Sequence, residues 1–301
     1  MSTLPIIDKN SWGANTNCVV CANQLKHTPA ISIQNSSLHE CVNCQSYTLL
    51  PRLQIAQQLD LHNSDEYFAH KYFELRRHDL HRAIERSAIA QNYVGKIIDA
   101  TQNVRLLDLG CDNGLFMYAM QQQFGYSVSG IDISERASLA ARNQFGLNVL
   151  NTTIENAPDN LSGFDVITAI DFVEHVVRPK TLFEEVYKRL VTGGVFYFET
   201  PNIFSLIYRT GFMLGRICPT LFKSQLERLF PLQHCQYFSP KGILFLSQLL
   251  GFEIVAHDRR ILIDSDLNVS CSVLKALKLL QLVDNLYHNQ VLDVYLLQKT
   301  D

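Results

Sequence analysis

From Val104 onward the chain alternates short apolar runs with segments of helical length, and no other feature restricts the fold as strongly. Residues 105–109, 127–131, 148–151, 165–170, 195–199, 253–256 and 291–297 read as short strands. Helices fit 115–124, 135–145, 180–190, 240–249 and 272–287. Strand, helix and strand in regular succession need crossover connections, which lay parallel strands in one sheet and helices on both faces. The expected fold class is therefore α/β, a doubly wound, mostly parallel sheet. At 301 residues there is also room for a smaller unit.

The first strand-to-helix junction, "LLDLGCDNGLF" at 106–116, carries Asp108, Gly110 and Gly114. In a doubly wound sheet this is where a ligand meets backbone amides and the N-terminus of the next helix. The next strand ends in "GIDIS", which puts Asp132 22 positions beyond Gly110, at the distance from which a carboxylate accepts the hydroxyls of an adenosine ribose. A dinucleotide turn calls for G-x-G-x-x-G, and here Asp112 stands at the middle glycine. A pyrophosphate would meet that carboxylate at a cost above about 1 kcal/mol, taking an effective dielectric near 20. A cation would not. S-adenosylmethionine has the ribose, a sulfonium, an amino group and no phosphate, so the acid-rich turn favours it over a dinucleotide.

Cys18, Cys21, Cys41 and Cys44 form "CVVC" and "CVNC", separated by 19 residues, a spacing expected of a zinc site. Two thiolates from each tight turn close a tetrahedral shell with no position left for water, so the ion would be structural. Two disulfides or an accidental cluster are the alternatives, both disfavoured in a reducing compartment. Zinc would supply on the order of 10 kcal/mol toward folding this segment. With Lys9 and Lys26 as its fixed cations, the segment is too weakly basic to grip a phosphate backbone. The other cysteines, Cys111, Cys218, Cys235 and Cys271, are scattered and read as small buried hydrophobes.

These features divide the chain into a zinc-ribbon module at 1–50, a helical linker at 51–100 and the α/β unit at 101–301. The linker carries apolar residues at helical spacing and no glycine between Gly13 and Gly95. An apolar insertion at about 203–231 contains "IFSLIYRTGFMLGRICPTLF", which Arg209, Arg216 and Pro219 make unsuitable for crossing a bilayer. It suits a lid, or contact with a peripheral membrane or lipid-like substrate. The balance of 26 basic against 29 acidic residues gives no reason to expect nucleic acid. "MSTLPIIDKNSW" lacks a basic segment followed by an apolar one, so the cytoplasm is the expected compartment. The oligomeric state is not legible.

The series "LLDLGCDNG", "GIDIS", "FDVITAIDFVEHVVRP", "GGVFYFETPN" and "GFEIV" resembles the successive motifs of class I S-adenosylmethionine-dependent methyltransferases, over about residues 104–300. That resemblance implies a Rossmann-like sheet and assigns roles by position. Asp108 would sit near the methionine amino group, Gly110 and Gly114 would shape the turn, and Asp132 would hold the ribose. Ile133, Ile154 and Glu155 would bound the adenine, and Ile170 and Asp171 would line the methionine side. The family's first motif has glycine where this chain has Asp112, a residue type that tolerates left-handed backbone.

Methyl transfer is an in-line displacement at a carbon already activated, so alignment and exclusion of water carry most of the catalysis. A base is needed where the acceptor must lose a proton. "DFVEHVVRP" is similar to a segment of ubiquinone-type O-methyltransferases, which implies a divalent ion near Asp171, Glu174 and His175. His234, after the insertion, faces the acceptor pocket in similar enzymes. Either His175 or His234 can serve as base, with Glu174 beside them. The expected function is methyl transfer from S-adenosylmethionine to a small-molecule acceptor, a hydroxyl of a hydrophobic or natural-product-like compound. The zinc module more loosely resembles that of sugar C-methyltransferases, so C-methylation of a nucleotide sugar is an alternative. A non-catalytic binding protein of the same fold and a nucleotide-dependent oxidoreductase are the others.

Overall fold

A computed structural model describes residues 17–64, 77–99, 102–262 and 271–300. The N-terminal stretch read for a secretory signal and the linker residues 65–76 lie outside the described residues. The chain begins with strands β1 (Ile31–Ile33), β2 (Ser36–Glu40) and β3 (Tyr47–Leu50), followed by helices α1 (Ile55–Asn63) and α2 (Leu80–Val94). The alternating part runs β4 (Arg105–Leu109), α3 (Leu115–Phe124), β5 (Ser127–Asp132), α4 (Glu135–Phe145), β6 (Asn148–Asn151), β7 (Phe164–Ile170), α5 (Pro179–Arg189) and β8 (Leu190–Pro201). Then come α6 (Leu206–Ile217), α7 (Lys223–Leu229), β9 (Gln236–Tyr237), α8 (Pro240–Leu250), β10 (Phe252–Arg260), α9 (Cys271–Leu286) and β11 (Leu292–Lys299).

Seven strands form the central sheet in the order β10-β11-β8-β7-β4-β5-β6. Strands β4 to β8 pair in parallel, while β11 inserts antiparallel between β8 and β10. The doubly wound α/β expectation therefore holds, with an antiparallel edge. Strand β8 is longer than the expected 195–199, because Leu190 already pairs with Phe164. The strands' apolar runs are fully covered: Val166, Ile167, Phe196 and Phe198 have no exposed surface, each such side chain being worth about 2–3 kcal/mol of hydrophobic transfer. Local signals set the helix ends. Ser134 caps α4 by accepting from Ala137 N, and Gly125 and Gly146 end α3 and α4 in left-handed geometry.

The small sheet has the order β1-β2-β3-β9, all antiparallel. Its last strand comes from residues 236–237, far outside the 1–50 segment. The cysteines, with Val20 and Leu25, pack in the same hydrophobic core as Ile154, Phe183, Phe238 and Ile243. Gly242 lets α8 approach so closely that a Cβ there would stand 2.2 Å from Ser46 Oγ. No described helix is long and apolar enough to cross a membrane.

Candidate functional site

The turn after β4 is built as its sequence demands. Gly110 has φ 71°, and a Cβ on it would lie 2.4 Å from Phe172 Cδ2, so only glycine fits between turn and ring. Gly114, at φ 80°, opens α3. Asp112 adopts φ 46°, the left-handed geometry of the glycine it replaces. Its amide donates to Asp132 Oδ2 at 2.8 Å, and Ser134 N donates to Asp132 Oδ1 at 2.8 Å, so Asp132 is fixed by two backbone donors. Burial and the charge of Asp112 nevertheless push Asp132 up to about 6. Asp108, buried at the end of β4, accepts from Thr168 Oγ1 at 2.6 Å and is pushed up to about 7 by burial.

The charge reading of Asp112 needs correction. Arg77 Nε reaches Asp112 Oδ1 at 2.8 Å and Oδ2 at 3.1 Å, and the arginine is only 8% exposed. Asn113 Nδ2 donates to Arg77 O at 2.7 Å and pins the arginine's backbone to the turn. The carboxylate of Asp112 is thus neutralised by an ion pair, and any preference of the turn for a cation falls to Asp108 and Asp132. The cation comes from 35 residues upstream, in a segment read as linker.

At the end of β7, Asp171 takes φ 54° and pairs with Arg86 Nη1 at 2.9 Å and Arg82 Nη2 at 3.9 Å, both from α2. The helical turn Val173–His175 follows. Glu174 is 1% exposed, accepts from Thr200 Oγ1 at 3.2 Å and is pushed up to about 8 by burial and the charge of Asp171. His175 Nδ1 donates to Gln233 O at 3.1 Å, which leaves Nε2 with its lone pair; burial pulls this histidine down to about 4. His234 lies edge-on to it, ring centroids 4.6 Å apart, with Nδ1 buried and without a hydrogen-bond partner. Burial and His175 hold His234 well below the usual imidazole range.

Ligand atoms of Glu174, His175 and His234 all lie within 4.8 Å of one another. The donors that cluster differ from the expected set of Asp171, Glu174 and His175: Asp171 pairs with arginines, and His234 stands beside Glu174 and His175. One carboxylate and two unprotonated imidazoles suit a zinc-, manganese- or iron-like ion better than magnesium, which prefers oxygen donors. His62 on α1, its ring 6.4 Å from that of His175, adds a third imidazole, pulled down to about 3 chiefly by burial.

The four N-terminal cysteines are free and buried. Cys18 Sγ lies 3.6 Å from Cys44 Sγ, and Cys21 Sγ lies 3.5 Å from Cys41 Sγ. Tetrahedral zinc with bonds of about 2.3 Å would separate its sulfurs by about 3.8 Å, so the cluster fits that ion with small adjustments. Val20 N and Asn23 Nδ2 point at Cys18 and Cys21 sulfurs, at 3.4 and 3.5 Å, as donors to thiolates do. Half-buried Arg52 has Nη1 buried without a hydrogen-bond partner, and burial pulls it below its ordinary value. A four-thiolate zinc complex carries two net negative charges, and Arg52 would offset part of them.

A cavity of about 1720 Å³ joins the turn after β4 to the Glu174–His175–His234 cluster. Asp108, Gly110, Asp132, Ile133, Ile154 and Glu155 line one end, Ile170 and Asp171 the middle, and Glu174, His175 and His234 the other end; helices α6, α7 and α9 contribute apolar walls through Tyr208, Leu226 and Leu280. Gly114 is packed behind the turn, against Leu147 and Ala141. The sequence reading missed Arg77, Arg86, Gln58, His62 and Gln236. Only the Arg82–Arg86 spacing on one helix face was a usable signal.

A mostly parallel sheet with a ligand-sized crevice at its carboxyl edge, an acid at the end of each of two adjacent strands and a tight glycine turn is an arrangement typical of nucleotide-binding α/β folds. The chain belongs to the methyltransferase domain family, whose model matches residues 68–257. Among curated proteins it is 36% identical over 104 residues to the ubiquinone biosynthesis O-methyltransferase of Azoarcus sp. (strain BH72), covering 33% of this chain and 44% of that one. It is 26% identical over 161 residues to that of Erwinia tasmaniensis, covering 48% and 65%. The chain thus spans about half the length of the curated relatives it matches. In fold it is similar to the plantazolicin methyltransferase BpumL in complex with SAH, with 18% identity, TM-score 0.53, and 80% and 93% of the two chains covered. A SAM-dependent methyltransferase from Thermotoga maritima gives 18% identity, TM-score 0.52, and 81% and 99%.

Proposed function

We propose that the protein methylates a hydroxyl of a small, hydrophobic or natural-product-like acceptor, using S-adenosylmethionine. The observation that carries this is the single cavity that runs from the Asp108–Asp132 end to the Glu174–His175–His234 cluster beneath apolar helices. On this reading Asp132 holds the ribose, and Asp108 faces the amino group, whose positive charge would favour the ionised carboxylate. Ile133, Ile154 and Glu155 bound the adenine, Gly110 and Gly114 give the turn its shape, and Ile170 and Asp171 line the methionine side. When bound, S-adenosylmethionine supplies a methyl carbon activated by a sulfonium.

The chain's part is to align the acceptor oxygen, keep water out and accept a proton. His175 Nε2 carries a free lone pair, and the bond from Nδ1 to Gln233 O keeps the ring in that tautomer. It is the first choice of base, with His234 beside it. Alternatively, an ion on Glu174, His175 and His234 would occupy the His175 Nε2 lone pair and, in place of a histidine base, would acidify the acceptor hydroxyl as a Lewis acid. Helix α6 and the turn after it leave Met213, Ile217 and Leu221 exposed, which fits delivery of an acceptor from a membrane surface. The buried cysteine cluster holds structural zinc.

The test is thermal. S-adenosylhomocysteine should raise Tm by several degrees at saturating concentration, as about 3 kcal/mol of linkage does, and NAD should leave it unchanged. Asp132→Ala should keep the fold and weaken the ligand about 100-fold by calorimetry. A shift with NAD alone would overturn the methyltransferase reading, and unchanged affinity in the variant would remove the ribose contact.

A further inference from the structure

The acceptor end of the cavity hangs on the cysteine module through a short, traceable set of bonds. Strand β9 is the fourth strand of the module's sheet, with Thr48 paired to Gln236 and Tyr47 to Tyr237. Leu49 N donates to Cys235 O at 2.9 Å. One residue on, the β9 side grips the catalytic turn. Cys235 N donates to Glu174 O at 2.9 Å, and the buried side chain of Gln236 sends Nε2 to Val173 O at 2.9 Å and Val176 O at 2.8 Å, bracketing Glu174 and His175. Gln233 O fixes the ring of His175. Gln58, just after the module, donates to His175 O at 2.7 Å and to Cys235 Sγ at 3.0 Å.

The same strand is bolted to the cysteine turns. Ser239 Oγ donates to Cys44 O, Ser239 N donates to Ser46 Oγ at 3.1 Å, and Cys41 N donates to Ser46 O at 2.8 Å. A shift of the second cysteine turn therefore carries Ser46 and Ser239 with it. None of these bonds reaches the Leu109–Gly114 turn, which is held by Asp132, Arg77 and the backbone of Ile131.

We infer that the metal-loaded cysteine module is the acceptor-side scaffold of the site, and that Gln236 is the positioning residue that passes its order to the Glu174–His175 turn. The inference rests on the structural-zinc reading and on the site assignment above. Without the ion the turns bearing Cys41 and Cys44 lose their shared anchor, β3 and β9 lose register, and the bracket around Val173–Val176 opens. The cofactor end keeps its geometry. Zinc thus supports one half of the site selectively, although none of its four cysteines lines the cavity.

The experiment uses the full chain as purified, with zinc measured by elemental analysis, backbone amides followed by hydrogen exchange, and the His175 ring nitrogens followed by 15N spectroscopy. Removing zinc with a chelator, both in the wild type and in a His234→Ala variant that lacks the second donor cluster, should speed exchange at 173–176 and 235–237 about tenfold or more and convert His175 from one tautomer to a mixture. Amides at 108–114 should stay protected, and the thermal shift with S-adenosylhomocysteine should persist. Gln236→Met should retain zinc and give the same His175 signature, while Gln236→Glu, which keeps an acceptor but loses the donating amide, should not rescue it. Zinc release with unchanged exchange and tautomer would overturn the inference and leave the zinc reading intact. Absence of bound zinc would overturn both. Loss of protection at 108–114 together with 173–176 would also overturn it, since the module would then support the whole fold. A missing shift with S-adenosylhomocysteine before chelation would count against the methyltransferase reading instead.

Discussion

The cofactor end of the cavity draws Asp108, Gly110, Asp112 and Gly114 from one turn, with Asp132 one strand away, whereas the acceptor end gathers Gln58, Glu174, His175, His234 and Gln236 from three separate stretches of chain. The first is held mainly by backbone donors and by glycine geometry. The second is held by side chains and by a neighbouring module. A local turn needs few residues to be right and is robust to events elsewhere. A site assembled from distant segments inherits the stability of everything that brings those segments together.

The largest effect should come from Cys41→Ser. Removing one thiolate of four should abolish tight zinc binding and melt the small sheet, a loss of several kcal/mol within that module. Elemental analysis and far-ultraviolet dichroism check this, and full retention of zinc would contradict the four-thiolate shell. S-adenosylhomocysteine binding should survive in the same variant, which keeps the two ends of the cavity separable. Arg77→Met is the converse change. It strips Asp112 of its partner and should weaken the cofactor about tenfold, with Asp112→Asn in the same background restoring most of the loss. Calorimetric titration of both variants gives the coupling, and additive effects would show that the ion pair has no part in shaping the turn.

A third effect, read as a slope, concerns pH. Asp108 sits at about 7 in the folded chain against 3.8 as its ordinary value, raised chiefly by burial. Between those values the folded state holds a proton that the unfolded state has lost, so unfolding releases it and stability falls as pH rises through the window. Asp108→Asn removes this proton. Ligand-free protein should therefore lose up to about 1.4 kcal/mol per pH unit more steeply in the wild type than in the variant between pH 4.5 and 6.5. Urea midpoints across that range test it, and parallel slopes would show that Asp108 is ionised throughout.

Legibility follows the same division. The expectation of a strand ending at Leu109, a left-handed turn and a helix from Leu115 matches the structure because each rests on neighbouring residues. The cysteine pairs were equally readable, since two thiols two residues apart already define half a tetrahedron. Arg77 was not: its partner is 35 positions away, and an arginine among helix formers looks like any solvated cation. The pairing of Asp171 with Arg86 was hidden for the same reason, because the arginine comes from α2, far away in the chain. Strand β9 is two residues long and carries no periodicity, so nothing local marks Gln236–Tyr237 as the fourth strand of the small sheet.

Sequence alone determined the alternation of strands and helices, the glycine turn with its two acids, and the four-thiol cluster. Each is encoded by short-range patterns whose physical meaning does not depend on what packs against them. Tertiary structure decided that Asp112 is neutralised, that His234 rather than Asp171 joins Glu174 and His175, and that strand β9, next to His234, pairs with the cysteine module. Those outcomes depend on where separate segments meet, and burial, hydrogen bonding and charge at such a meeting point exist only once the chain has closed around it.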